Sequence, residues 1–116
     1  MAYTVDLTKN IGLYDKFVSV DGSIVEYSGW NVSDYIPVVS GADYYLQSGG
    51  VLGNSPASVY YDSKEVLIIG HSTATGGRER TTAPQNAKYI RVSYYVGYSC
   101  NLAQTSMTDV YPTTDP

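Results

Sequence analysis

The chain of 116 residues contains one cysteine, one histidine, one tryptophan and one phenylalanine, and these scarcities exclude much before any pattern is sought. A lone Cys100 cannot form an internal disulfide framework, so stability has to come from packing in whatever compartment the protein occupies. With His71 as the sole imidazole, neither a His-rich zinc site nor a cysteine cluster can be assembled within one chain. Asp21-Gly22-Ser23 falls far short of the spaced oxygen ligands of a calcium loop. The expectation is no metal and no cofactor. Basic residues are also few: 7 Lys and Arg stand against 11 Asp and Glu, for a net charge of −4. They are scattered, which argues against nucleic acid or an anionic membrane as partner. No apolar run approaches membrane-spanning length and the N-terminus lacks a charged-then-apolar leader, so neither membrane insertion nor Sec-type export is expected.

Catalytic signatures are equally sparse. Serines are many, but no G-x-S-x-G elbow is present. Cys100 and His71 could formally pair as nucleophile and base, yet no oxyanion-hole glycine motif accompanies them. A strand cysteine and a loop histidine without chemistry is the preferred reading. Asp62 with Glu65 or Glu79 would offer a glycosidase-like carboxylate pair, but these residues sit in predicted turns, where solvation is the commoner role. Gly76-Gly77 before Arg78 lacks the phosphate-loop frame and reads as a flexible tip. No catalytic residue is assigned, and the chain is expected not to be an enzyme.

What the sequence does have is tyrosine, 13 residues of it, a ring that favours strands and carries a polar handle. No window longer than a turn or two has helical periodicity. About eight short strands separated by turn signals predict an all-β fold, an antiparallel β-sandwich. The length predicts a single domain over residues 1–111, with 112–116 as a flexible tail. The clearest strand lies within 83–96: Ile90, Val92 and Tyr94 point to a core, and Tyr89, Arg91, Ser93 and Tyr95 point the other way. Asp21-Gly22 predicts a two-residue type I′ hairpin within 17–27, pairing Val18 with Val25 and burying Val18, Val20, Val25 and Tyr27. Residues 3–7 alternate as an edge strand, turn residues surround Trp30, and Pro37 marks an edge strand or a strand start. Within 44–48, Tyr45 and Gln47 lie opposite Tyr44, Leu46 and Ser48. A second hairpin, 58–69, turns at 62–65 and pairs Tyr61 with Val66 and Tyr60 with Leu67. Both of its faces are apolar, as in a strand pair covered on both sides or facing an interface. Residues 49–56 and the polar segment 70–82 read as loops, the latter mobile and functional. Residues 98–104 and 107–111 supply one or two closing strands.

Sugars present C–H faces to rings and hydroxyls to amides, carboxylates and guanidinium groups. The candidate ligand-binding residues are therefore Trp30, Tyr45, Gln47, Tyr60, Asp62, Arg78, Tyr89, Arg91 and Tyr95. Arg91 is the centre of this set, on the open outer side of its strand, with Arg78 reaching in from the loop before it. The same residues also fit ordinary cross-strand packing, with Arg91 paired to Asp62 or Glu65 at the surface, or a contact with a second copy of the chain.

The segments S-G-W-N-V-S-D-Y-I-P-V (28–38), G-A-D-Y-Y-L-Q-S-G-G (41–50), V-Y-Y-D-S-K-E-V-L-I (59–68) and A-P-Q-N-A-K-Y-I-R-V-S (83–93) together resemble a module recurrent in bacteriophage tail, baseplate and fibre proteins. Similar modules occur in some bacterial surface proteins. The module is similar to jelly-roll carbohydrate-binding domains. The resemblance implies a jelly-roll-like sandwich made in the host cytoplasm and carried on the virion. There it would serve host attachment or surface decoration by binding a cell-surface polysaccharide, with other virion proteins as partners. The alternative it implies is a structural interaction module within a homo-oligomer, a trimer by preference, in a phage appendage or capsid decoration. This chain departs from the module where Arg80-Thr81-Thr82 stands in place of a Phe-Thr-Thr lead-in.

Overall fold

Short runs of β-branched and aromatic residues, broken by glycine, asparagine and aspartate turns, fold as ten strands in two antiparallel sheets packed face to face, a β-sandwich. The computed structural model describes residues 3–49, 56–72, 78–110 and 112. In chain order these are β1 (Thr4–Asp6), a 3-10 turn (Leu7–Lys9), β2 (Ile11–Val18), β3 (Ile24–Ser33), β4 (Ile36–Pro37), β5 (Asp43–Ser48), β6 (Pro56–Tyr61), β7 (Leu67–Ser72), β8 (Arg78–Thr82), β9 (Tyr89–Tyr95) and β10 (Cys100–Gln104). One sheet runs β1-β10-β5-β8; the other runs β2-β3-β9-β6-β7, with β4 also paired to β9. The expected domain end at residue 111 and most of the 112–116 tail lie outside the described residues, as do positions 50–55 of the first predicted loop and the 73–77 tip.

Between the sheets lies one apolar core. Tyr44 and Leu46 of β5 and Cys100 and Leu102 of β10 meet Tyr60 of β6 and Ile90, Val92 and Tyr94 of β9. Each fully buried side chain of this size contributes about 1.5–3 kcal/mol. The tyrosine hydroxyls make burial affordable by finding partners: Tyr44 accepts from Val39 N at 2.7 Å and donates to Gln104 Oε1 at 3.1 Å, and Tyr60 bonds Thr81 Oγ1 at 3.0 Å. Cys100 is fully enclosed, and burial pushes its thiol up to about 12, so it carries almost no thiolate at neutral pH. His71 sits in β7 with its ring edge-on to Tyr60 at 5.9 Å.

The first hairpin differs from expectation in register and in placement. Ser19 O accepts Gly22 N at 2.8 Å and Ser19 N donates to Ser23 O at 2.8 Å, with Gly22 at φ +84. This is a three-residue loop closed by a left-handed glycine, not a two-residue turn. Val18 therefore faces Ile24 and Phe17 faces Val25, a one-residue slip that exchanges the two faces. Val18 is buried, while Val20, Val25 and Tyr27 are exposed.

The ribbon also bends. Between the Tyr14–Asn31 and Lys16–Glu26 pairs, Asp15 alone faces four residues of β3, Tyr27 to Trp30. Asp15 takes φ 54 and Gly29 φ +88; the Asp15 carboxylate accepts Gly29 N, and the Asn31 side chain accepts Asp15 N. Beyond this bend the hairpin lies over the outward face of its own sheet. Val18 N donates to Ser93 Oγ at 3.0 Å, and the backbone of Val20 presses so closely on Gly70 that a Cβ there would stand 2.6 Å from Val20 O. A second apolar cluster of Val18, Val32, Val59 and Tyr61 results, flanked by Leu13, Tyr35 and Tyr89.

The second hairpin repeats the same turn. Glu65 N donates to Asp62 O and Asp62 N to Val66 O, with Glu65 in the left-handed region at φ 63. Tyr61 therefore pairs with Leu67, and a register shift beside it sets Tyr60 opposite Ile69, instead of the pairs expected. The segment 70–82 is not one loop: it closes β7 and supplies β8. Trp30 stands inside β3 and not in a turn, and residues 105–110 form no strand.

Candidate functional site

The nine candidate residues separate into five places. Tyr60 is part of the core. Asp62 builds its turn, its carboxylate accepting Lys64 N at 2.8 Å and Val66 N at 3.0 Å. The first is enclosed and the second is committed to its own turn.

Arg91 and Tyr89 lie on the outward face of β9, as the alternation requires, but the folded-over hairpin covers that face. Arg91 is 8% exposed. Its Nε donates to Ser33 O at 3.0 Å, and its guanidinium lies 4.3 Å from the centre of the Tyr35 ring, which packs edge-on against both Tyr61 and Tyr89. Burial pushes the Tyr61 hydroxyl up, opposed by the charge of Arg91 beside it. The Ser33 hydroxyl accepts Val92 N and so bridges the gap in the ladder between β3 and β4. The expectation of an open Arg91 is thus corrected: the guanidinium is built into the layer between sheet and hairpin. The ion pair among the described residues is Lys16 with Glu26 at 2.7 Å, so Arg91 does not pair with Asp62 or Glu65 either.

Tyr45, Gln47 and Arg78 are brought together on the outward face of the four-stranded sheet. Cross-strand register aligns Asn101, Gln47 and Arg78 in one row and Ala103, Tyr45 and Arg80 in the next. Arg78 belongs to this sheet and Arg91 to the other, so the two do not converge. Arg80, at the departure from the Phe-Thr-Thr pattern, turns outward and lies 4.9 Å from the centre of the Tyr45 ring.

Trp30 and Tyr95 belong to a continuous ridge of rings. Phe17 meets Trp30 edge-on at 5.3 Å, Tyr27 meets Trp30 at 5.8 Å, Trp30 meets Tyr95 at 5.4 Å and Tyr95 meets Tyr98 at 5.9 Å. Trp30 and Phe17 are buried within the ridge, whereas Tyr27, Tyr95 and Tyr98 are 53%, 44% and 49% exposed. Beside the ridge, where β9 turns into β10, a groove of about 370 Å³ is lined by Thr8, Ile11, Asn31, Tyr94, Val96, Gly97, Tyr98 and Ser99. The Tyr94 hydroxyl is buried and makes no hydrogen bond of good geometry to a described residue. Burial pushes it up, tempered by the Asn31 side chain beside it. An aromatic wall, hydroxyls and an amide around a concavity of this size are what a small polar ligand with apolar faces requires.

Sequence reasoning missed Phe17, Tyr27, Tyr98 and Arg80. The first three were hidden by the hairpin register and by a turn with no period. Arg80 lay in a segment read as loop.

The fold and this groove define an all-β module with an aromatic-walled concavity. No protein-family model and no solved structure matches the chain. A tail fiber protein of Enterococcus phage phiEF24C is 33% identical over 111 residues, a stretch that is 90% of this chain and 6% of that protein.

Proposed function

We propose that the chain is a non-catalytic β-sandwich module of a phage tail fibre, displayed on the virion and serving host attachment by binding a neutral face of a cell-surface glycan. The likeness to a tail fiber protein supports the virion setting and contact with other virion proteins. The observation that carries glycan binding is the groove beside Tyr98. Exposed rings of Tyr95 and Tyr98 offer stacking surface, while Asn31, Ser99 and Thr8 offer hydrogen bonds. Sugars need both at once.

The test is a glycan-array profile of the purified protein followed by titration of any saccharide retained. Tyr98→Ala is expected to weaken that saccharide about tenfold or more, as truncation of an aromatic anchor does, with little change in melting temperature because the ring is half exposed. If no saccharide binds the wild-type chain at millimolar concentration, or if Tyr98→Ala binds normally, the reading fails.

A second reading, a homo-oligomeric interaction module, is favoured by exposed apolar side chains at the hairpin tip and on β7: Val20, Ile24, Val66, Leu67 and Ile69. Light scattering distinguishes it, since a monomer at high micromolar concentration would count against it.

A further inference from the structure

On the side away from the hairpin, the four-stranded sheet carries a feature that glycan stacking in the groove does not use. Of the chain's three arginines, Arg78 and Arg80 stand two residues apart on one face of β8, both exposed. Side chains in this relation are about 7 Å apart and parallel. Glu79, between them, points into the sandwich, where it accepts a bond from Ser58 Oγ at 3.3 Å. Neither arginine has an ion-pair partner among the described residues, where the pair present is Lys16 with Glu26.

Their neighbours are donors or flat surface. Gln47 lies beside Arg78 with Asn101 beyond it, so the row presents a guanidinium and two amides. In the adjacent row Arg80 is held against the Tyr45 ring, and the next residue across is the small Ala103. A guanidinium steadied on a ring has lost little freedom that binding would still have to remove. Beside Arg80 a hollow of about 300 Å³ is lined by Asp43, Tyr44, Thr81, Thr82 and Thr105. The carboxylates nearest in the sheet are engaged: Asp43 accepts from Thr82 Oγ1 at 2.6 Å, and Asp6, at the far edge beyond Asn101, accepts from Thr8 N and Thr8 Oγ1. On a chain of net charge −4, two neighbouring guanidinium groups with no ion-pair partner among the described residues are a feature of place and not of composition.

We infer that the outward face of the four-stranded sheet is an oxyanion-binding surface. Arg78 and Arg80 there receive the carboxylates or phosphates of an anionic surface polymer, and Gln47, Asn101 and the Tyr45 ring contact its uncharged parts. The planar fork of arginine fits both anions, so the source is decided by experiment. The surface is separate from the groove and does not depend on it.

The test is titration calorimetry at low salt with oligogalacturonate as the carboxylate probe, polyglycerol phosphate as the phosphate probe and a neutral glucose oligomer as control. One or both anionic probes should bind and weaken as salt is raised, while the neutral oligomer should not compete. Arg78→Ala and Arg80→Ala should each weaken binding about tenfold, and Arg80→Lys should recover it only partly, because an ammonium keeps the charge without the flat stack. Tyr98→Ala should leave anion binding unchanged, which separates failure of this inference from failure of the groove. Binding of one probe alone assigns the anion and supports the site. The inference is overturned if neither probe binds, or if the Arg78→Ala, Arg80→Ala double variant binds as well as wild type.

Discussion

The outward face of the four-stranded sheet presents Tyr45, Gln47, Arg78 and Arg80 to solvent, whereas that of the other sheet presents Val59, Arg91 and Ser93 to a hairpin. Both faces obey the same period-two alternation, and both carry an arginine stacked on a tyrosine. The difference is a cover. On the open face the guanidinium remains available to a ligand; on the covered face its Nε is committed to Ser33 O and the charge is enclosed. An arginine over a ring is therefore no sign of binding until the next layer is known.

The largest effect should come from attacking what the two faces share, the interior between the sheets. Burial raises Cys100 and Tyr3 to about 12 and pushes up Tyr44, Tyr60 and Tyr94 as well. The folded chain thus keeps protons that the unfolded chain releases from about pH 9 upward. Stability is whole below that pH and falls as pH rises through the window of each group. Denaturant unfolding at pH 8 and pH 10.5, with tyrosinate absorbance followed in parallel, should show both faces lost in one transition. Separate transitions would mean that the hairpin layer stands apart from the sandwich.

Breaking the covered face alone should cost less. Arg91→Ala removes a buried donor, strands Ser33 O and empties the space over Tyr35, at about 2–3 kcal/mol. Arg78→Ala and Arg80→Ala on the open face should change stability by no more than about 0.5 kcal/mol. Midpoints of urea unfolding for the three variants decide the matter, and equal losses would erase the distinction between the faces.

The smallest effect concerns the turns. Gly22 and Glu65 close two loops with the same hydrogen bonds, at φ +84 and φ 63. Glu65→Gly should stabilise by about 1 kcal/mol and Gly22→Ala should destabilise by a similar amount, since only the L-residue is strained there. Changes of the same sign would contradict the shared geometry.

Much of the sandwich could be read from residues. In β9, Ile90, Val92 and Tyr94 face the core; in β5, Tyr44, Leu46 and Ser48 are buried and Tyr45 and Gln47 face out. Alternation assigns a side chain to a side, however, and says nothing of what lies on that side, so the burial of Arg91 was out of reach. The cover escaped because Asp21-Gly22 suits both a two-residue turn and a longer loop ending in a left-handed glycine, and the choice between them moves Val25 and Tyr27 of the second strand to the face opposite Val18. Strand β8 escaped for a different reason. Its inward side chains, Glu79 and Thr81, are polar and held by Ser58 and Tyr60, so no apolar rhythm marks it. Of the candidate site, the sequence put Tyr45 and Gln47 on one face of a strand, but it expected Arg78 beside Arg91, and it named Trp30 and Tyr95 without the ridge that joins them.

The pairing of β1 with β10, Thr4 opposite Ala103, has a consequence for how the chain comes to be folded. Strand β10 is internal to its sheet, between β1 and β5, yet it follows every other strand among the described residues. Until it leaves the ribosome, β1 has no partner, β5 lacks one of its two neighbours and the core lacks Cys100 and Leu102. The hairpin and the β6–β7 pair can close locally at once, whereas the contact that joins Thr4 to Ala103 must wait for nearly the whole chain and for the entropy of closing so long a loop. Completion is therefore late and cooperative, and the nascent chain passes through a stage in which its core is still open beside β5.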